Sequence, residues 1–192
     1  MVSDDGVADS DDRLGDGDDA FVVTGVDPTA SERLAEMWVA LARGQQDYGS
    51  HLKASANRQR VQAAISQYAT NDQLLVARPP TEDERSDPSA VQPYTDETEP
   101  DAIGFVMFRR QSNRYAVTRS RGLIENLYVV PDHRGRGVGS RLLAAAETRL
   151  SERGVDVVAL EAMAGNGHGR RFYRRHGYCP HRIEFEKAVD SD

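Results

Sequence analysis

The chain has 192 residues, one cysteine, 39% hydrophobic residues and a formal net charge of −7. This length predicts one domain with appendages, large enough to form a core without disulfides or structural metals. Cys179 alone excludes an internal disulfide and a cysteine-based zinc site. No signal peptide and no apolar run near ~20 residues is visible, so we expect a cytoplasmic protein that does not bind membranes.

The negative charge is concentrated in two segments. Residues 1–19 contain eight Asp and one Arg, and residues 79–101 contain eight acidic residues and one Arg, so each segment carries −7. The rest of the chain is therefore basic, and residues 102–192 contain sixteen basic and ten acidic residues. An anionic ligand is compatible with this C-terminal half despite the acidic total.

The first half of the chain predicts a tail, four elements and a loop. Residues 1–19 are mainly Asp, Gly and Ser, which predicts a disordered acidic tail. The predicted elements that follow are strands at 20–26 and 73–77 and helices at 30–43 and 54–69. Residues 79–101 hold five of the eight prolines and no periodicity, which predicts an inserted, mobile surface loop.

The second half predicts alternating strands and helices. The predicted strands are 102–108, about 115–130, 155–162 and 182–188, and the predicted helices are 137–153 and 167–176. Together with the first half, they predict a single mixed α/β domain over residues 20–192.

A glycine-rich turn between a strand and a helix carries the strongest chemical signal. Residues 129–141 read Val-Val-Pro-Asp-His-Arg-Gly-Arg-Gly-Val-Gly-Ser-Arg. Backbone N–H groups at a helix N-terminus are unpaired and bind phosphates, and the three glycines allow close approach. Arg134, Arg136 and Arg141 add positive charge. The segment therefore predicts a phosphate-binding turn.

Two phosphate-binding patterns compete for this turn. Gly135, Gly137 and Ser140 fit a dinucleotide fingerprint loosely, and Glu161 follows at about the required distance. Against that pattern, four residues separate the strand from the first glycine, and only 31 residues follow Glu161.

The second pattern fits better. Residues 134–139 (Arg-Gly-Arg-Gly-Val-Gly) resemble the [Gln/Arg]-x-x-Gly-x-[Gly/Ala] loop of the GCN5-related N-acetyltransferase (GNAT) superfamily. Residues 127–131 resemble the fourth strand of that family, and residues 160–178 resemble its second conserved block. The resemblance implies an α/β (α+β) fold, in which about four helices flank a central, mixed, mostly antiparallel sheet of six to seven strands.

The resemblance also implies a site for acetyl-CoA as co-substrate. In the family, the pyrophosphate lies on the N–H groups of the loop, and the pantetheine pairs with the end of the fourth strand, because the fourth and fifth strands separate. A backbone N–H near Val129 would stabilise the oxyanion of the thioester, and Asn166 would hydrogen-bond the pantetheine arm or serve only as a turn residue. The implied cofactor-binding residues are Leu127, Tyr128, Val129, Val130, Arg134, Gly135, Arg136, Gly137, Val138, Gly139, Ser140, Asn166, Gly169 and Phe172.

Three residues are candidates for catalysis. Tyr173 matches the family tyrosine that protonates the leaving thiolate, although an aromatic side chain here could also pack against the sheet. Glu161 and Glu125 are alternative general bases for the attacking amine, and the sequence does not separate them. Strand alternation places Glu125 on the same face as Val129.

The resemblance therefore implies an N-acetyltransferase that acts on a primary amine, of a small molecule or of a protein N-terminus. The alternatives are a catalytically silent acyl-CoA-binding module and a nucleotide-dependent oxidoreductase. The arginines of the predicted 167–176 helix form a solvent-exposed face, so no nucleic-acid partner is expected. His168 and His176 lack metal-ligand spacing, so no metal is expected. The family often forms homodimers, and the acceptor amine is not readable.

Overall fold

The computed structural model of the protein describes residues 20–98 and 101–189. The predicted tail 1–19 lies outside them. The strands are β1 (Val22–Thr24), β2 (Leu74–Arg78), β3 (Gly104–Arg110), β4 (Arg121–Val129) and β5 (Val157–Leu160). The helices are α1 (Glu32–Gln46), α2 (Arg58–Thr70), α3 (Glu82–Ser86), α4 (Val138–Glu152) and α5 (Gly167–Arg175).

The strands form one sheet in the order β1-β2-β3-β4-β5. From β1 to β4 each strand pairs antiparallel with its neighbour, and β5 pairs in parallel with β4. The expectation of a mixed, mostly antiparallel sheet is therefore confirmed. The parallel sheet required by the oxidoreductase alternative is not present in the described residues.

Helices cover both faces of the sheet. One core lies between the sheet and α1 and α2, and it includes the fully buried Leu34, Ile65 and Phe105. The other lies between the sheet and α4, with α5 at its margin, and it includes Leu142 and Leu150. Burial of each such side chain contributes roughly 1.5–3 kcal/mol to stability. These two cores hold β4 between the two helical layers, where the candidate site lies.

The sheet is smaller than predicted. The described residues form five strands rather than six or seven, and residues 182–188, predicted as the last strand, form none. Their alternating pattern is present, but Ile183 and Phe185 are 77% and 88% exposed, so no core side chains pack against them. The long strand also begins at Arg121 rather than near residue 115, since residues 115–119 are exposed.

The acidic segment that follows β2 contacts the domain at several points, and its mobility stays a prediction. It contains α3, whose N-terminus has a capping box between Thr81 and Glu84. Tyr94 is 1% exposed, and its backbone bridges to Val26. The Asp96 carboxylate accepts hydrogen bonds from the first N–H groups of α1. Part of the negative charge therefore stabilises the fold.

A buried ion pair anchors this segment to the sheet. The Arg78 guanidinium donates two hydrogen bonds to the Glu84 carboxylate, at 2.6 and 2.5 Å. Both side chains are almost fully buried, with 1% and 4% exposed. The hydrogen bonds from Arg78 hold the pKa of Glu84 down to about 2. Glu84 therefore remains a carboxylate inside the protein at neutral pH.

Breaking this pair should destabilise the protein strongly. We expect Glu84→Ala to lower the free energy of unfolding by about 3–5 kcal/mol, because it leaves the Arg78 charge buried and uncompensated. The exposed neighbour Glu82 provides the control, and Glu82→Ala should change stability by about 0.5 kcal/mol or less. Urea denaturation followed by circular dichroism at pH 7 measures both. Equal effects of the two substitutions would show that the pair is not an anchor.

Candidate active site

The edge of β4 that faces β5 is only partly paired. The parallel pairing begins at Arg121 with Val157 and ends at Ile124 with Leu160, whereas β4 continues to Val129. Residues 125–129 therefore have no strand beside them on this edge in the described structure. We call this opening, between residues 125–129 and the end of β5, the β4–β5 split. The expected separation of the fourth and fifth strands is confirmed.

The backbone amide of Val129 points into the split. The N–H of Val130 donates to the Ile103 carbonyl at 2.9 Å, on the β3 side. Since neighbouring residues of a strand direct their backbone groups to opposite edges, the N–H and C=O of Val129 face the split. The Val129 carbonyl accepts from Nε of Arg134 at 2.9 Å. No described residue accepts from the Val129 N–H, which leaves it as a donor for a ligand.

A β-bulge at Glu125 changes the direction of the β4 side chains. Met107 of β3 pairs with Asn126, and Phe108 pairs with Ile124, so Glu125 is an extra residue without a partner. Ile124 packs in the core beside α4, but the Glu125 side chain reaches α2 on the other face. Asn126 also faces the α1 and α2 layer, where its Oδ1 accepts from Nε1 of Trp38 at 2.9 Å.

The bulge corrects one sequence prediction. Simple alternation placed Glu125 on the same face as Val129, but Val129 packs toward α4, whereas Glu125 is bonded to α2. The extra residue shifts the alternation of side chains by one position. Residues after the bulge therefore point to the face opposite to the one that alternation counted from Glu125 predicts.

Both oxygens of Glu125 are occupied. Oε2 accepts from the Tyr68 hydroxyl of α2, and Oε1 accepts from Nε of Arg109 of β3. Burial and the bond to Glu125 raise the pKa of Tyr68 to about 12, and the bond to Glu125 raises the pKa of Arg109. Tyr68 and Arg109 therefore keep their protons near neutral pH. The Glu125 side chain is fixed between a phenol and a guanidinium.

Glu161 follows the last residue of β5, and the described structure gives its carboxylate no partner. Ile124 and Leu160 form the last pair of β4 and β5, so the two glutamates are the next residues along their chains. Val158 and Leu160 pack toward α4, so alternation directs Glu161 toward the α1 and α2 face. It is exposed, and no described residue bonds its carboxylate. The two candidate bases therefore lie at the same split in different surroundings. Glu125 is bonded to Tyr68 and Arg109, whereas Glu161 is exposed to solvent.

The turn after β4 presents further free amides. Gly135 and Gly137 have φ of +76° and +79°, and Gly137 is the N-cap of α4. The first hydrogen bond at this end of α4 runs from the Arg141 N–H to the Gly137 carbonyl, so the N–H groups of residues 138–140 have no acceptor within the helix. A Cβ at either glycine would meet no atom within 4 Å. The turn is therefore open, and its free N–H groups can bind an anion.

The arginines around this turn have different surroundings. Arg134 bonds Val129 and lies 5.7 Å from the centroid of the Tyr128 ring. The guanidinium of Arg141 lies 5.2 Å from the centroid of the Phe21 ring. Arg136 is exposed at the turn itself. All three keep positive charge close to the N-terminus of α4, as the sequence predicted.

Asn166 caps α5, as its alternative interpretation as a turn residue predicted. Its Oδ1 accepts from the Gly169 N–H at 2.8 Å. A Cβ at Gly169 would lie 2.8 Å from Nδ2 of Asn166, so only glycine fits against this cap without movement. The cap uses Oδ1, and Nδ2 has no partner in the described structure. A role of Nδ2 toward the pantetheine stays a prediction.

Tyr173 is held by aromatic contacts, and its hydroxyl is free. Its ring meets Phe172 edge-on at 5.2 Å and Tyr178 at 5.9 Å between centroids. Phe172 also packs near Gly139, where a Cβ would lie 3.5 Å from its ring. Burial raises the pKa of Tyr173. No described residue bonds the hydroxyl, so the phenol keeps its proton and is available as a donor.

Sequence reasoning missed the partners of these residues. Tyr68, Arg109, Trp38 and Asn126 form the wall of the split on the α1 and α2 side, and none was identified as a site residue. The tyrosine and tryptophan at helical positions indicated only core packing. Their polar atoms meet β4 through the bulge, and the sequence carries no local signal for a bulge without glycine.

The comparisons with known proteins agree with this geometry. The family model described as Acetyltransferase (GNAT) family matches residues 59–178. The chain is 37% identical over 68 residues to the aminoalkylphosphonate N-acetyltransferase of Salmonella typhimurium, covering 35% of this chain and 44% of that protein. It is 32% identical over 77 residues to N-alpha-acetyltransferase 30 of Schizosaccharomyces pombe, covering 40% of this chain and 50% of that protein. The matches thus span about half the length of these relatives.

A solved structure supports the fold. The crystal structure of a GCN5-related N-acetyltransferase from Ralstonia eutropha superposes with a TM-score of 0.63 at 20% identity, covering 88% of this chain and 99% of that one. No helix in the described parts of the chain is long and apolar enough to cross a membrane. The family match covers more than half of the chain and contains both the glycine-rich turn and α5. The chain therefore belongs to the acetyltransferase (GNAT) family.

Proposed function

We propose that the protein is an N-acetyltransferase that transfers the acetyl group of acetyl-CoA directly to a primary amine. The observation that carries this proposal is the set of free backbone N–H groups along β4, the glycine-rich turn and the first turn of α4. The free Val129 N–H in the split and the free N–H groups of residues 138–140 lie at the two ends of a short segment. They provide donors for an extended ligand with a carbonyl and a pyrophosphate.

The bound co-substrate would supply an acetyl group activated as a thioester. Residues 138–140 and the arginines of the turn would hold its anionic end. The unpaired edge of residues 125–129 would accept its amide-containing arm as a strand accepts a neighbour. The Val129 N–H would then donate to the oxygen on which negative charge develops during transfer.

Among the two carboxylates, we assign the general base to Glu161. An ammonium ion cannot attack a carbonyl carbon, so the acceptor must lose a proton to a nearby base. The Glu161 carboxylate is exposed and has no partner in the described structure, and it can therefore accept that proton directly or through water. Both oxygens of Glu125 already accept bonds from Tyr68 and Arg109, which suits a positioning role.

Tyr173 is our candidate for the general acid. A thiolate leaves when the new amide bond forms, and it needs a proton. The Tyr173 hydroxyl is free, and its raised pKa keeps the phenol protonated. The ring is fixed by Phe172 and Tyr178, so the donor has a defined position.

The acceptor is proposed only as a primary amine. One relative is named for aminoalkylphosphonates and the other for α-amino groups, so relatives of similar identity differ in their acceptors. The loop after α1 packs against the loop that follows β5, where Tyr48 lies 3.7 Å from the Cβ position of Gly165. Tyr48 and Leu52 are each 41% exposed there and can contact an acceptor.

A screen of amines tests the proposed function. The wild type should bind acetyl-CoA in calorimetry, and one class of small amines or N-terminal peptides should accelerate release of the CoA thiol. Gly137→Glu should abolish binding, because it strains a positive-φ position and brings a carboxylate to the free amides. Gly44→Glu, on the exposed face of α1, provides the control and should bind normally.

Two results would contradict this account. Unchanged binding in Gly137→Glu would remove the pyrophosphate site from α4. Binding of acetyl-CoA without turnover on any amine would favour a catalytically silent acyl-CoA-binding module.

Tyr173→Phe tests the general acid. We expect kcat to fall about a hundredfold while the dissociation constant for acetyl-CoA stays the same, because only the donated proton is lost. Tyr178→Phe is the matched control, since its hydroxyl already bonds Glu147, and kcat should be nearly unchanged. Steady-state kinetics and calorimetry measure both quantities. Equal kcat values for the two variants would exclude Tyr173 as the acid.

Glu161→Gln and Glu125→Gln distinguish the two candidate bases. We expect Glu161→Gln to lower kcat about a hundredfold with unchanged stability, because its carboxylate has no structural partner. Glu125→Gln should lower the melting temperature, because Arg109 loses its charged partner, and should lower kcat less. Kinetics and thermal denaturation of both variants give the answer. A larger kcat loss in Glu125→Gln without a change in melting temperature would reverse the assignment.

A further inference from the structure

A histidine at the end of α5 contacts the first turn of α4. Nε2 of His176 lies 3.0 Å from Oγ of Ser140, and Nδ1 lies 2.8 Å from the Phe172 carbonyl. The imidazole also lies 4.4 Å from the Phe172 ring, between centroids. Both ring nitrogens are therefore engaged, and one of them reaches the helix terminus to which we assign the pyrophosphate.

The carbonyl contact determines which nitrogen carries the proton. A carbonyl oxygen only accepts, so Nδ1 of His176 must donate to Phe172. In the neutral ring Nε2 is then an acceptor, and the Ser140 hydroxyl donates its hydrogen to it. In this state the hydroxyl hydrogen of Ser140 is directed toward the histidine and not toward the turn.

A second proton reverses this bond. In the imidazolium form Nε2–H donates to Oγ of Ser140, while Nδ1–H keeps its bond to Phe172. The Ser140 hydroxyl then turns and can donate to another acceptor. The ring also adds a positive charge next to a helix N-terminus, where an anion is already favoured.

We propose that His176 is a positioning residue for the pyrophosphate of CoA, which acts through Ser140 and gains a proton when CoA binds. The proposal rests on the proposed function, because it takes the N-terminus of α4 as the pyrophosphate site. The bound anion accepts from the released Ser140 hydroxyl and balances the charge of the imidazolium.

The groups around His176 leave this balancing role to the ligand. The charged and titratable side chains on the adjoining turns are Asp132, His133, Arg134, Arg136, Arg141 and Glu147 on the α4 side and Tyr173, Arg174, Arg175 and Tyr178 on the α5 side. Of the two carboxylates among them, Glu147 already accepts from the Tyr178 hydroxyl at 2.6 Å, and Asp132 is exposed. The pyrophosphate of a bound ligand would be the anion next to an imidazolium at this helix terminus.

The sign of the pH dependence follows from linkage. If the complex holds more protons than the free protein, the affinity rises as the pH falls through the range in which histidine titrates, between pH 5 and 8. Dephospho-CoA is the appropriate probe, because its pyrophosphate stays ionised there. The 3′-phosphate of CoA itself titrates near pH ~6 and would obscure the result.

Isothermal titration calorimetry with dephospho-CoA between pH 5.5 and 8, in buffers of different ionisation enthalpy, tests the proposal. The wild type should bind roughly fivefold more tightly at the lower pH and take up part of one proton. His176→Gln should bind with one affinity across the range and take up no proton. His168→Gln, at an exposed position on the same helix, should behave like the wild type. Ser140→Ala should lose most of the pH dependence, because the released hydroxyl is absent.

Two results would overturn the proposal. The first is an equal pH dependence in His176→Gln and the wild type, and the second is binding by the wild type without proton uptake. Either leaves the proposed function intact, since CoA still binds. Failure of the wild type to bind both CoA and dephospho-CoA at every pH would instead overturn the proposed function together with this inference. Circular dichroism confirms that each variant is folded.

Discussion

The separation of β4 from β5 is the constraint on which the rest of the site depends. The two strands pair for four residues, and the bulge at Glu125 then redirects β4 while β5 ends. A sheet normally leaves no backbone donor unpaired in its interior, so a ligand is needed to complete this one. The bulge also turns Glu125 and Asn126 toward α1 and α2, where Tyr68, Arg109 and Trp38 hold them. The same irregularity therefore creates the opening for the co-substrate and fixes one wall of the site.

The features that were predicted from the sequence are those with local causes. The glycine-rich turn, α4 and α5 follow from positive-φ glycines, helical periodicity and a capping asparagine, each visible within a few residues. The bulge depends on a register between two strands, and the Glu125 network joins residues 57 and 16 positions apart, so neither has a local signal. For residues 182–188 the local signal is present, but the predicted strand is absent. Their alternation is strand-like, but nothing packs on it in the described structure.

The net charge of −7 combines parts with different roles. The acidic segment after β2 contributes Glu84 to a buried ion pair and Asp96 to the N-terminus of α1, so some of its charge is structural. The arginines of the second half lie around the turn and α5, where the proposed anionic co-substrate would bind. An acidic protein can therefore offer a basic site, because the two charge types occupy different elements.

Amide hydrogen exchange at Val129 tests the central claim most directly. The account predicts that its N–H exchanges rapidly in the free protein, because it faces the split, and at least about tenfold more slowly with saturating acetyl-CoA. The Val130 N–H, bonded to Ile103, should be protected in both states and provides the internal reference. A Val129 amide that is already protected in the free protein, or that exchanges at the same rate with acetyl-CoA bound, would contradict the account.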